Sequence, residues 1–149
     1  MRILAIYRHF WPDTTPYARL LRSMLCEFTV HGHDADVFSA QPSYNGNDLP
    51  KQPSSEQIGL VSVYRCGLIR EQGFARRFAI AVNQLLFLIK AIYFAIRRKR
   101  QYDLIIANCH PPVLMASTLR FIKALTGIPY LLHYQDIHPE AAQLIGDIR

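Results

Sequence analysis

The stretch from Tyr102 to Glu140 constrains the fold more than any other part of the chain. Leu104-Ile105-Ile106-Ala107 is apolar on both faces, which fits a strand buried in a parallel sheet. It runs into Asn108-Cys109-His110-Pro111-Pro112, polar and then rigid. Val113 to Leu125 follows with helical spacing, Leu114, Leu119, Ile122 and Leu125 sharing a face. Gly127 stands where a helix C-cap belongs, and Pro129 blocks continuation. Tyr130-Leu131-Leu132-His133-Tyr134 reads as a second strand and stops in Gln135-Asp136-Ile137-His138-Pro139-Glu140. This is a βαβ unit with polar residues at the C-terminal ends of both strands. Ligands of open α/β sheets bind just outside those ends. Asn108, His110, Asp136, His138 and Glu140 are therefore expected to face one crevice.

The rest of the chain extends the same pattern. Arg2 to Tyr7 is a short apolar strand, followed by the loop Arg8 to Thr15. Pro16 suits a first helical position with Thr15 as N-cap. Tyr17, Leu20, Leu21, Met24, Leu25 and Phe28 then form one apolar stripe, closed by Gly32. Asp36 to Ala40 is a second strand. Residues 41–57 carry Pro, Asn-Gly and Ser-Ser and read as a long loop, and Ile58 to Tyr64 as a third strand. Strand and helix alternate as β-α-β-β-α-β-α-β. The expected fold is α/β: a Rossmann-like parallel sheet of about five strands with helices on both faces, in one domain over 1–149.

Residues 74–100 read as one long helix. Phe78, Val82, Leu85, Leu86, Ile89, Tyr93 and Ile96 form a wide apolar face, and Phe87, Leu88, Ala91, Ile92 and Phe94 make the helix nearly apolar all round. Three readings stay open: a membrane span, which the central Lys90, Asn83 and Gln84 oppose, a helix lying in the interface, and a packed core helix. The net charge of +6 is concentrated here, because Arg65 to Arg100 holds nine basic residues against the single acid Glu71. One anionic partner surface is implied, with Arg76, Arg77, Arg97, Arg98, Lys99 and Arg100 as headgroup contacts; the alternative is a merely solvated helix end. Nucleic acid is not expected, for no helix-turn-helix, zinc finger or RNP-type pattern is present.

Several chemistries are excluded. There is no G-x-G-x-x-G after the first strand and no P-loop. The six histidines show no metal-ligand spacing, so no metal is expected. Cys26, Cys66 and Cys109 make no CxxC and no even framework, which suits a reducing compartment. Met1-Arg2 leads into a strand without a signal-like apolar region, so a cytoplasmic location is expected. The helix start at Thr15 either offers N–H groups to phosphate or sugar oxygens or is a plain cap. His110 is open to either a site role or a loop role.

Several stretches resemble motifs of one family. Phe10-Trp11-Pro12-Asp13 resembles an aromatic-Pro-Pro-acid loop, and His31-Gly32-His33-Asp34 an Arg-Gly-His-Glu helix end. Gln41-Pro42-Ser43-Tyr44 resembles a Pro-Ser-Tyr loop, Tyr102 to Pro112 a strand ending in His/Ser-Pro-Pro, and Gly127-Ile128-Pro129 through Glu140 the pattern Gly-Val-Pro … Asp-Leu-Trp-Pro-Glu. In this order they are similar to the N-terminal half of family 4 glycosyltransferases, retaining enzymes of the GT-B fold, closest to those acting in bacterial colanic-acid-type polysaccharide assembly. Thr14-Thr15 stand where the family often has a Gly pair, and His138 stands for its Trp. Asn108 and His110 are rival positions for its active-site His. The family's C-terminal donor-binding domain, with its Glu-x7-Glu pair, is absent from this sequence, and the N-terminal domain looks cut short after the last strand.

The resemblance implies an acceptor-binding half, for a glycan or lipid-linked sugar at the inner face of the cell membrane. The full enzyme would use a nucleotide diphosphate sugar as co-substrate, with no cofactor bound by this half. Asp136 and His110 would orient acceptor hydroxyls as the catalytic pair. Trp11, Thr14, Thr15, Asn108, His138 and Glu140 would bind substrate. Inactivity of the chain alone is expected. The alternatives are a membrane-docked subunit that recruits a separate donor-binding chain, and an unrelated Rossmann-like nucleotide binder.

Overall fold

The structure, a computed structural model, describes residues 1–43, 50–69, 71 and 76–134. Over these the elements run β1 (Arg2–Ile6), α1 (Pro16–Val30), β2 (Asp34–Ala40), β3 (Ser55–Ile58), β4 (Val61–Cys66), α2 (Arg76–Arg97), β5 (Leu104–Asn108), α3 (Pro112–Thr126) and β6 (Tyr130–His133). They build a six-stranded sheet ordered β3-β4-β2-β1-β5-β6. Five strands are parallel, with registers such as Ile3↔Ala35 and Ile3↔Leu104, and the edge strand β3 runs antiparallel to β4. The α/β, Rossmann-like expectation holds, with one strand more than the sequence indicates.

That sixth strand corrects the reading of 41–57 as a loop. Ser55-Glu56-Gln57 has poor strand propensity, yet as an edge strand it needs no apolar face, and its charge guards the edge. Glu56 forms an ion pair with the buried Arg65, diagonally across on β4, and the Arg65 N–H donates to Ser54 O at 2.8 Å. Arg65 is therefore a sheet residue rather than part of the basic surface. Gly59, with φ of +62°, turns the chain within the run that reads as one strand from Ile58 to Tyr64. Residues 44–49 of the loop lie outside the described residues.

Each face of the sheet is covered. On one, Leu4, Ile6, Phe38, Ile105 and Ala107 pack against Phe87, Ala91 and Ala95 of α2 and Met115, Leu119 and Ile122 of α3. On the other, Ala5, Val37 and Val63 meet Tyr17, Leu21 and Leu25 of α1. Leu20 of α1 and Leu114 and Leu125 of α3 stay exposed at the margins of their stripes. Gly127 ends α3 with φ of +76°, where a side chain would be strained.

The face of α2 that packs is the opposite of the one the sequence suggests. Phe78, Leu85, Ile89 and Tyr93 are exposed, whereas Asn83, Phe87, Leu88, Ala91 and Ala95 are buried. A helix apolar nearly all round has no periodicity to choose its face. Ala91 and Ala95 let the helix axis approach the sheet, and Asn83 finds its partners there. Arg98, counted among the headgroup contacts, folds inward instead, its guanidinium 4.2 Å from the Tyr64 ring centre and 4.6 Å from that of Phe94. Helical geometry ends at Arg97 and starts at Arg76 among the described residues, against the expected 74–100.

Candidate functional site

Strand β1 lies between β2, which follows it through α1, and β5, which is reached from the far side. The sequence order reverses at β1 and β5, and such a switch point leaves a crevice at the C-terminal strand ends. A cleft of about 820 Å³ opens there. Its walls come from the β1 tip (Tyr7, Arg8, His9), the start of α1 (Thr15, Pro16, Tyr17), Ser43, Glu71, α2 (Arg76, Ile80, Gln84, Phe87), the β5 tip (Asn108, His110) and Met115.

The side chains at the β1 tip are fixed by long-range partners. The buried Arg8 guanidinium donates to Gln84 Oε1 at 3.3 Å and forms an ion pair with Glu71. Asn83 lies in the middle of an apolar helix and is almost wholly buried. Its side chain accepts from Ile69 N at 2.9 Å and donates to Ile69 O and to Glu71 Oε1, both at 2.7 Å. Asn83 thus pins the segment after β4 and sets the Glu71 carboxylate into the cleft wall. Burial alone would raise the Glu71 carboxyl, but the Asn83 hydrogen bond and the Arg8 charge outweigh it and hold Glu71 below its ordinary 4.5. Asp13, fully buried, accepts from Ser43 N at 3.2 Å and pairs with His9 Nδ1 at 3.3 Å.

The helix start at Thr15 is built as a cap. Thr15 Oγ1 accepts from Ala18 N at 3.1 Å and shares a 3.0 Å hydrogen bond with Tyr7 Oη. Pro16 has no N–H, and Arg19 N donates to Thr15 O at 3.2 Å. This leaves at most the Tyr17 N–H for a ligand, fewer donors than an open helix start offers. Beside it, burial pushes the Tyr17 phenol up to about 12, with smaller contributions from Tyr7 and Cys109.

Thr15, Asn108 and His110, all expected at a site, line the same cleft. Thr14 precedes the cap and is not in the cleft wall. Trp11 sits apart: its ring lies 4.5 Å from the Arg22 guanidinium, in a separate shallow groove along α1. Asp136, His138 and Glu140 lie outside the described residues. Arg8, Glu71, Tyr17 and Gln84 also line the cleft, unforeseen from the sequence. Two of them had a signal, Arg8 at a strand tip and Glu71 as the lone acid in a basic stretch. Tyr17 was hidden in an apolar stripe. Among the described residues no three His, Cys, Asp or Glu gather as a metal site.

The fold and cleft define a Rossmann-like domain with a polar-lined cleft at its switch point. The chain belongs to the glycosyl transferase 4-like domain family, whose model matches residues 15–146. Comparison with curated proteins finds no match. Family membership carries a role in glycosyl transfer.

Proposed function

We propose that this chain is the acceptor-side half of a retaining glycosyltransferase of polysaccharide assembly. The cleft at the tips of β1 and β5 holds a hydroxyl-bearing acceptor, a glycan or lipid-linked sugar, and the glycosyl group comes from a nucleotide diphosphate sugar. His110 and Asp136 orient the acceptor hydroxyl, and Asn108, Thr15, His138 and Glu140 complete the binding set. No protein nucleophile is required, and rate comes from positioning and from stabilising the leaving diphosphate. The donor is held by a second Rossmann-like unit, in the same or a separate chain, so the 149 residues alone do not turn over. The single observation behind this reading is the cleft itself. In a glycosyl transferase 4-like chain it joins neutral hydrogen-bonding groups from Tyr17 and Asn108 to the cation Arg76 and the Arg8–Glu71 ion pair.

We assign the chain to the cytoplasmic face of the cell membrane. Phe78, Leu85, Ile89 and Tyr93 form an exposed apolar stripe on α2, bounded by the exposed Arg76, Arg77, Arg97, Lys99 and Arg100. α2 is long and apolar enough to cross a membrane. Its Phe87–Ala95 face packs on the sheet, which favours a helix lying in the interface.

Calorimetric titration tests the proposal. Farnesyl-diphosphate-linked monosaccharides bind the purified chain saturably, nucleotide diphosphate sugars do not, and a mixture of the two gives no multiple turnover. Binding of nucleotide sugars alone, or clear turnover by the isolated chain, contradicts it.

A further inference from the structure

Six buried side-chain polar atoms have no hydrogen-bond partner among the described residues. Three are Nε atoms of Arg2, Arg8 and Arg65, arginines whose guanidinium is anchored through another nitrogen. The other three are Tyr17 Oη, Asn108 Oδ1 and His133 Nδ1, on residues that neighbour one another, with His133 just behind the cleft wall. Asn108 and His133 are register partners at the ends of β5 and β6. The Tyr17 ring meets the His133 ring edge-on, with centroids 5.6 Å apart. Tyr17 and Asn108 both stand in the cleft wall, and both are more than nine-tenths buried. An unsatisfied buried polar atom destabilises the fold, and three on three different elements are not a packing accident.

We infer that Tyr17, Asn108 and His133 form a neutral subsite of the cleft that reads the hydroxyl groups of a saccharide ring. This rests on the acceptor reading above and names where its sugar lies. The chemistry selects the ligand class. Asn108 Oδ1 only accepts, so it repels phosphate oxygens and takes a hydroxyl donor. The phenol of Tyr17, raised by burial, stays protonated at neutral pH and can donate to a ring hydroxyl. His133 Nδ1 donates or accepts according to its tautomer. A vicinal diol complements such a mixed set, and an anion does not. On the α2 side the cleft wall carries Arg76 and the Arg8–Glu71 ion pair, where Arg8 also donates to Gln84. The ligand is thereby oriented, with its sugar toward α1, β5 and β6 and any phosphate toward α2.

The test is ligand-observed NMR with methyl α-D-glucopyranoside, methyl α-D-galactopyranoside, methyl α-D-mannopyranoside and inorganic pyrophosphate, on the wild-type chain and on Tyr17→Phe, with melting curves alongside. At least one glycoside binds the wild type. Tyr17→Phe weakens that binding roughly three- to tenfold, the worth of one hydrogen bond. Pyrophosphate binding is unchanged, and the melting temperature holds or rises, because a buried hydroxyl without a partner has been removed. Equal glycoside binding by Tyr17→Phe overturns the subsite and leaves the acceptor reading standing. A fall in melting temperature of several degrees makes the hydroxyl structural and also overturns it. A Tyr17→Phe effect on pyrophosphate instead of glycoside assigns the pocket to an anion and does the same. Failure of the wild type to bind any glycoside removes the acceptor reading and the subsite together.

Discussion

Asn83 shows how one polar side chain can decide where a helix sits. Its three hydrogen bonds serve the Ile69 backbone and Glu71, and no apolar residue replaces them. Asn83→Leu keeps the volume and leaves those buried groups unpaired, so unfolding in urea should show a loss of about 3 kcal/mol. A loss below about 1 kcal/mol would mean that the segment after β4 is held by something else. Titration adds a second residue-scale expectation. Tyr17 is raised from 10.0 to about 12, so its neutral form favours the folded state. That contribution is complete below pH 10 and disappears as pH rises from 10 toward 12. Tyr102, raised mainly by burial and also by its hydrogen bond to Asp36, acts in the same direction. Stability should therefore decline above pH 10, and Tyr17→Phe should make the decline shallower; an identical slope would contradict the assignment. At the acid end Glu71 has the opposite sign. Its lowered carboxyl contributes above 4.5, and the contribution is lost as pH falls through the lower folded value. Residues such as Asn83 and Tyr17 were not legible as site residues, because their meaning lies in partners far along the chain.

At the scale of elements, punctuation was the readable part. The Thr15 cap, the Gly32 and Gly127 ends and the parallel strands follow from local rules that tertiary packing did not override. Gly127→Ala should cost about 1 kcal/mol by forcing a side chain into the left-handed region, measurable as a lower urea midpoint. The face of α2 and the strand β3 were not readable. A helix apolar all round offers no preferred side, and an edge strand of Ser, Glu and Gln has no alternation. The stripe left outside makes a prediction of its own. Leu85→Glu with Ile89→Glu should leave the melting temperature within about two degrees, since both side chains are exposed. The same pair should abolish flotation with vesicles rich in anionic lipid. Undiminished flotation would take the membrane role away from α2.

At the scale of the whole molecule, the sheet order makes the cleft. β1 and β5 are neighbours because the chain crosses from one side of the sheet to the other between β4 and β5, and everything polar at their tips then shares one opening. The βαβ pattern from Tyr102 onward made this legible, and it correctly put Asn108 and His110 near the helix start at Thr15. The contribution of α2 to the wall was hidden, because which helix roofs a crevice depends on packing between elements remote in sequence. The central claim is that this cleft receives the acceptor. The most direct measurement is amide NMR of the labelled chain titrated with a farnesyl-diphosphate-linked monosaccharide. Saturable shifts are expected at Tyr7, Arg8, Tyr17, Asn108 and His110. Shifts gathered on the β3–β4 edge or along the Trp11–Arg22 groove, with the strand tips silent, would contradict it.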